Sequence, residues 1–326
     1  MMLKYGISNA EYHGSGELSR STAWSLINTC PAKVRHDMNN RKPSSPALVI
    51  GSGFHTATLE PEKLDDEFAV KPNEIDGQGP RTKHYKESFE LMQKSEPDKQ
   101  WLAPADYDLI LEMAGSALEN PVLRHYMADI DKVVEGTGYF EMEGAKCKVR
   151  PDLYIPGAGV VIDLKSTQDA SNRGFTKSVR QFGYLFQACW YMHALRLLGE
   201  KPKQFVFIAV EKTAPYATAA YTIKESDINK QFSNMERACQ LWASCQSSGI
   251  WPGYSDMVET LDLGSQITNN RLNISQLADK FGVSRTYVYR IIEEHELHSV
   301  TVGNRRTIDI TDFANAVRRD SEGKAA

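Results

Sequence analysis

Two short apolar runs, residues 149–155 and 160–164, flank the tetrapeptide Pro156-Gly157-Ala158-Gly159. Runs of that length bounded by turn formers predict two strands joined by a tight turn. Each run carries one acid in apolar surroundings, Asp152 and Asp163. Downstream, residues 182–198 set Leu185, Ala188, Met192 and Leu195 at helical spacing, which predicts a helix with one apolar face. Residues 204–210 read as a buried strand, with 218–223 as its partner, and residues 228–244 as a closing helix. Upstream, residues 133–149 are strand-like with Glu143-Gly144 as a hairpin turn, and helices are predicted at 86–94 and 106–120.

Nearer the N-terminus, Leu18-Ser19-Arg20-Ser21 caps a helix around Trp24, Leu26 and Ile27 that ends at Cys30-Pro31. Gly51-Ser52-Gly53 reads as a flexible turn, placing His55 at the opening of a helix-like segment, 56–59. Beyond Trp251-Pro252-Gly253 the pattern loosens. Residues 253–270 look like a linker, which gives a first domain of 1–252 and a second of 271–326. In the second, Ser275 caps a helix carrying Leu277 and Ala278. Gly282 makes a turn, and Ser284 caps a second helix carrying Val288, Ile291 and Ile292. A hairpin over 300–310 with a Gly303-Asn304 turn follows, and Thr311 caps a last helix, 312–319.

Composition bounds these readings. A chain of 326 residues with 41% hydrophobic content can bury a large core and a small one. No apolar run approaches the roughly 20 residues a spanning helix needs, and Met1-Met2-Leu3-Lys4 begins no signal-peptide core. The expectation is a soluble cytoplasmic protein without a membrane partner. Cysteines at 30, 147, 189, 239 and 245 form no C-x-x-C pair, so neither a zinc site nor a disulfide framework is indicated. A net charge of -4 means that any grip on DNA comes from local basic patches and metal ions.

Side chains alternate along a strand, so Asp163 and Lys165 share a face while Leu164 points into the opposite layer. Two carboxylates on adjacent strands are costly to bury unless a cation lies between them. Mg²⁺ fits, because it takes one or two carboxylates and completes its shell with water and phosphate oxygens. Lys165 could then hold the attacking water or stabilise charge on the phosphate, although an isolated D-x-K also serves as a strand-end ion pair. Gln187 and Tyr191, four apart, share one side of their helix, and a glutamine in so apolar a helix wants a partner. His55 suits either a capping role or a ligand role. Arg173, Lys177 and Arg180, in a loop over 168–180, are candidate phosphate contacts, ahead of the cluster Arg81, Lys83, His84 and Lys86. Glu141 is either an outer carboxylate or an exposed strand residue.

In order and spacing, His55, Asp152, the Asp163-x-Lys165 pair and Gln187-x-x-x-Tyr191 resemble the PD-(D/E)XK nuclease superfamily, in its RecB-like branch, and within it the RecE-type exonucleases. The resemblance runs from about residue 6 to residue 251. It implies an α/β fold, a restriction-endonuclease-like mixed sheet flanked by helices, with His55, Asp152 and Asp163 as metal ligands. It further implies Lys165 beside the attacking water, Gln187 and Tyr191 shaping the site, and Mg²⁺, or Mn²⁺ in its place, as cofactor. The implied activity is digestion of the 5′ strand of linear double-stranded DNA by a ring-like homo-oligomer, with the 3′ strand passed to an annealing recombinase. Some RecB-like nucleases hold an iron–sulfur cluster on one early and three late cysteines; here only Cys30 is early and only Cys239 and Cys245 are late.

Residues 271–326 resemble the small winged helix-turn-helix domains of excisionases and related phage regulators. In that arrangement Arg285, Thr286, Tyr287 and Arg290 would face the major groove, and Arg305 and Arg306 on the wing would meet phosphates. Nine Lys/Arg against eight Asp/Glu leave the segment without strong basic character, so a protein-docking module is the alternative. For the whole chain, the competing functions are an endonuclease targeted by this segment and a non-catalytic DNA-binding regulator.

Overall fold

The computed structural model describes residues 3–40, 43–258, 260, 271–302 and 305–322. The chain divides into two units, residues 1–254 and 255–326. The first opens with helices α1 (Asn9–Gly14), α2 (Arg20–Asn28), α3 (Pro31–Asn39), α4 (Pro46–Leu59) and α5 (Leu64–Glu67). Strand β1 (Phe68–Val70), α6 (Lys83–Ser95), β2 (Gln100–Leu102), α7 (Pro104–Glu119) and α8 (Pro121–Met127) follow. Next come β3 (Val133–Val134), β4 (Gly138–Met142), β5 (Ala145–Val149), β6 (Leu153–Ile155) and β7 (Val160–Thr167). Helices α9 (Asn172–Gln181) and α10 (Tyr184–Leu197), strands β8 (Gln204–Glu211) and β9 (Thr218–Thr222), and helices α11 (Glu225–Asn229) and α12 (Phe232–Ser248) complete it.

Five of these strands form one mixed sheet in the order β3-β6-β7-β8-β9. The predicted β6–β7 hairpin closes with Ile155 opposite Val160. β7 and β8 run parallel, which requires a crossover, and α9 and α10 supply it. Central strand β7 carries two cores. Val161 packs with Tyr154, Phe205 and Phe207 against residues of α10 and α12, while Ile162 and Leu164 pack with Ile208 against residues of α4 and α7. Leu164 thus points away from the layer that holds its neighbours Asp163 and Lys165, as strand alternation requires.

Two predicted features come out differently, and both differences shape the site. The apolar run 149–155 is not one strand. β5 ends at Val149 in a separate hairpin with β4, across the Glu143-Gly144 turn, whereas β6 begins at Leu153 in the main sheet. Arg150-Pro151-Asp152 is the junction between the sheets; Pro151 has no N–H for a ladder, so pairing stops there. Gly51 and Gly53 make no turn, lying inside α4 with His55 in the helix interior. Gly53 is small because α7 crosses there: a Cβ would stand 2.5 Å from Ile110 Cδ1.

The segment read as a loop over 168–180 contains α9, which Ser171 caps by accepting from Gly174 N–H. The closing helix is two, α11 and α12.

In the second unit, a strand Arg271–Asn273 leads into helix Ile274–Phe281. Asn273 rather than Ser275 caps that helix, in a reciprocal box with Gln276. Gly282 turns the chain at φ +64° into helix Arg285–Glu294, capped by Ser284. Strands Ser299–Val302 and Arg305–Asp309 pair antiparallel, and the last helix is Ile310–Glu322. Asp309, not Thr311, acts at its start, accepting from Thr311 N–H at 2.8 Å. Leu277, Val288, Ile291, Ile308 and Phe313 form this unit's core. The predicted Gly303-Asn304 turn and residues 261–270 of the predicted linker lie outside the described residues. Among the described residues, no helix is long and apolar enough to cross a membrane.

Candidate active site

Asp152 sits at the junction between the two sheets, buried, with its carboxylate held by the main chain of β7: Leu164 N–H donates to Oδ2 at 2.7 Å. His55 Nδ1 reaches the same oxygen at 3.3 Å from the interior of α4. Burial alone would lift the Asp152 carboxyl. His55, Lys165 and the Leu164 amide outweigh it and hold the group below the usual carboxylate range. Conversely, burial pulls the His55 imidazole down, and Asp152 more than reverses this, so the ring titrates above its ordinary value.

Asp163 is fully enclosed. Gln187 on α10 donates from Nε2 to its Oδ1 at 2.5 Å, and the Lys165 ammonium forms an ion pair with Oδ2. Burial lifts Asp163 to about 6; Lys165 works against this and the Asp152 charge adds to it. For Lys165 burial favours the neutral amine, but Asp163 and Asp152 prevail and the group stays an ammonium, 4.9 Å from the centre of the Tyr184 ring. Gln187 Nε2 also faces the Tyr191 hydroxyl at 3.2 Å, and burial together with Asp163 pushes that phenol well up.

Glu135 completes the cluster, and Glu141, read as either an outer carboxylate or an exposed strand residue, is the second. Glu141 lies exposed on β4, outside the cleft. Glu135 follows the two-residue β3, in a left-handed conformation with φ +48°, and its N–H donates to the Asp152 carbonyl at 3.1 Å. Ligand atoms of Glu135, Asp152 and His55 all lie within 4.8 Å of one another. Burial first, and the Asp152 charge second, push the Glu135 carboxyl up to about 8. The only sequence signal for this residue is an acid directly before Gly136 at the end of an apolar pair.

These donors fit a hard divalent cation. Carboxylates and one imidazole converge, and burial together with the Asp152 charge raises the Glu135 carboxyl, a strain that a bound cation would relieve. They border a cleft of about 740 Å³ whose wall includes His55, Glu135, Asp152, Lys165, Gln187 and Tyr191. Arg20, at the start of α2, also lines it and donates to Gln187 Oε1 at 3.0 Å.

The candidate phosphate contacts Arg173, Lys177 and Arg180 fall on one exposed face of α9, lining with Asn172, Thr176 and Gln181 a second groove of about 640 Å³. Of the earlier basic cluster, His84 pairs with Asp76 at 2.9 Å. In the second unit Arg290 is engaged within the fold. It holds Asp320 through both guanidinium ends, at 3.0 and 2.9 Å, and pairs with Glu294. Arg285 donates to Ser275 and Arg306 to Ser299, both exposed contacts, and Arg305 begins its strand.

No curated protein matches the chain. Among solved structures it is similar to a candidate exonuclease from Eubacterium rectale, with TM-score 0.55, 17% identity, and coverage of 82% of this chain and 99% of that one. It is also similar to a phage-related exonuclease from Haemophilus somnus 129PT, with TM-score 0.34, 13% identity, and coverage of 72% and 96%. The first likeness is one of fold. A family model described as a PDDEXK-like domain of unknown function (DUF3799) matches residues 20–263. That span takes in the whole cluster from Arg20 to Tyr191, and the chain belongs to this PDDEXK-like family.

Proposed function

We propose that residues 1–254 form a divalent-metal-dependent nuclease that degrades the 5′ strand of linear double-stranded DNA and leaves a 3′ single strand. The observation that carries this reading is the convergence of His55, Glu135, Asp152 and Lys165 at one cleft, with Asp163 buried behind it in an ion pair with Lys165. The description of the similar structure from Eubacterium rectale as a candidate exonuclease agrees with it.

Mg²⁺, or Mn²⁺, would be held by His55, Glu135 and Asp152 with Asp163 beside them, and supplies Lewis-acid charge at the scissile phosphate. The remaining roles belong to the chain's own groups. Because Lys165 stays protonated, it donates and does not abstract: its ammonium holds the attacking water or meets the charge that develops on a phosphate oxygen. Gln187 fixes the Asp163 carboxylate, and Tyr191, kept as a neutral phenol, backs Gln187. The α9 face of Arg173, Lys177 and Arg180 takes the DNA backbone. A homo-oligomer encircling the duplex, and a recombinase that anneals the 3′ strand, would complete the process.

A second reading is an endonuclease directed by the second unit. The helix, turn, helix and hairpin order of that unit favours it, with Arg285, Arg305 and Arg306 as DNA contacts of a winged helix-turn-helix.

The test is digestion of linear duplex DNA labelled at the 5′ or 3′ end, in Mg²⁺ and in EDTA, with wild type and Lys165→Ala. Metal-dependent release from 5′ ends by wild type alone supports the exonuclease. Cutting of covalently closed circles moves the assignment to the endonuclease, and no cleavage of either substrate overturns both.

A further inference from the structure

We infer that Arg20 is a positioning residue for the nuclease site, orienting Asp163 through the Gln187 side-chain amide; this rests on the nuclease reading above. A guanidinium can only donate and an ionised carboxylate can only accept, so the amide between them has one workable orientation. Gln187 Oε1 faces Arg20 Nη2 at 3.0 Å, and Nε2 faces Asp163 Oδ1 at 2.5 Å. Turned round, the amide would set its NH₂ against the guanidinium and its oxygen against the carboxylate, losing two charge-assisted bonds at once. The partner chemistry therefore determines the assignment of oxygen and nitrogen here.

Arg20 is itself braced. The same Nη2, whose two hydrogens are shared among three acceptors, also lies 3.0 Å from the carbonyl of Gly183 and 3.3 Å from that of Phe182, at the corner between α9 and α10. That corner is tight. Gly183 sits at φ +66°, and a Cβ there would stand 2.4 Å from the Trp24 indole of α2. Arg20 and Trp24 thus lock the first turns of α2 to the start of the helix that carries Gln187. With Oδ1 of Asp163 taken by Gln187, its Oδ2 is turned to the ammonium of Lys165, which lines the cleft. Removing Arg20 leaves Oε1 without its donor, so that only the bonds of Nε2 to Asp163 and Tyr191 hold the amide in place.

The experiment is a double-mutant cycle on the full chain with Arg20→Met and Gln187→Ala. It is read by calorimetric titration of Mn²⁺ into DNA-free protein and by steady-state cleavage of linear duplex. Arg20→Lys, which keeps the charge but not the planar fork, replaces the methionine variant if that one does not fold. Outer partners of metal ligands typically change affinity about 10–100-fold, so Arg20→Met should weaken Mn²⁺ at least about tenfold and lower kcat with KM for DNA nearly unchanged. In the Gln187→Ala background the same change should cost nothing more, because Arg20 acts through that amide. Additive losses, or an effect confined to KM, would show that Arg20 meets DNA directly and overturn the proposal. Wild type that neither binds Mn²⁺ nor cleaves DNA sinks the nuclease reading itself. Wild type that does both, with an additive cycle, sinks only the role of Arg20.

Discussion

The amide of Leu164, the middle residue of the Asp163-x-Lys165 sequence, donates to Asp152 Oδ2 at 2.7 Å. The backbone of one acidic strand thereby fixes the side chain of the other acid. Their separation is set by main-chain geometry, which a side-chain substitution disturbs little, so the cluster can be dissected one group at a time.

Lys165→Ala should abolish DNA cleavage and leave Asp163 buried without its ion pair. Breaking a buried pair from one side costs about 3–5 kcal/mol. The loss in melting temperature should be large in EDTA and smaller in Mg²⁺, because a bound cation replaces the missing positive charge. Equal losses in the two buffers would place the metal away from Asp163.

Glu135 gives a pH dependence. Its folded value of about 8 lies above its ordinary 4.5, so the folded protein keeps a proton that the unfolded chain has already released. Between those values the folded state binds more protons, and stability falls as pH rises. His55, raised by Asp152, acts in the same direction. In chelator, the melting temperature should therefore drop from about pH 5 to pH 8, and Glu135→Gln should flatten that slope. An unchanged slope in the glutamine variant would remove Glu135 from the site.

Gly53→Ala tests the packing that places His55. The new methyl would press on Ile110 Cδ1 at 2.5 Å and push α4 from α7. Overpacking of this kind costs about 1–3 kcal/mol, measurable by urea unfolding. Because His55 rides on the same helix, cleavage should fall even where the variant remains folded.

Replacing Arg173, Lys177 and Arg180 together by alanine should raise KM for duplex DNA and leave kcat on saturating substrate nearly intact. If each meets one phosphate, the slope of log K against log salt should fall by about 0.9 per contact. A kcat loss with the salt slope unchanged would mean that α9 supports the fold of the site and does not hold DNA.

How much of this was legible in the sequence follows from the range of each interaction. Asp163 and Lys165 share a face because strand alternation is local, and Gln187 meets Tyr191 because a helix repeats every four residues; both could be read from spacing. Glu135 could not, since its place depends on a left-handed residue and on the junction that carries Asp152. The Gly51-Ser52-Gly53 segment misled for the opposite reason. Glycine signals turns locally, whereas here it answers a distant helix of the chain, through Ile110. Arg20 was visible only as part of a cap, because its partner Gln187 is 167 residues away.

That last distance bears on how the protein comes into being. A chain made from its N-terminus presents Arg20, His55, Asp152 and Asp163 before α10 exists. Parallel strand β7 cannot gain β8 until α9 and α10 have been made. The bond from Gln187 to Asp163 can form only once α10 has been made. Closure of the acidic cluster therefore depends on the crossover: without α10, Asp163 has no Gln187, and β7 has no parallel partner until β8 is reached.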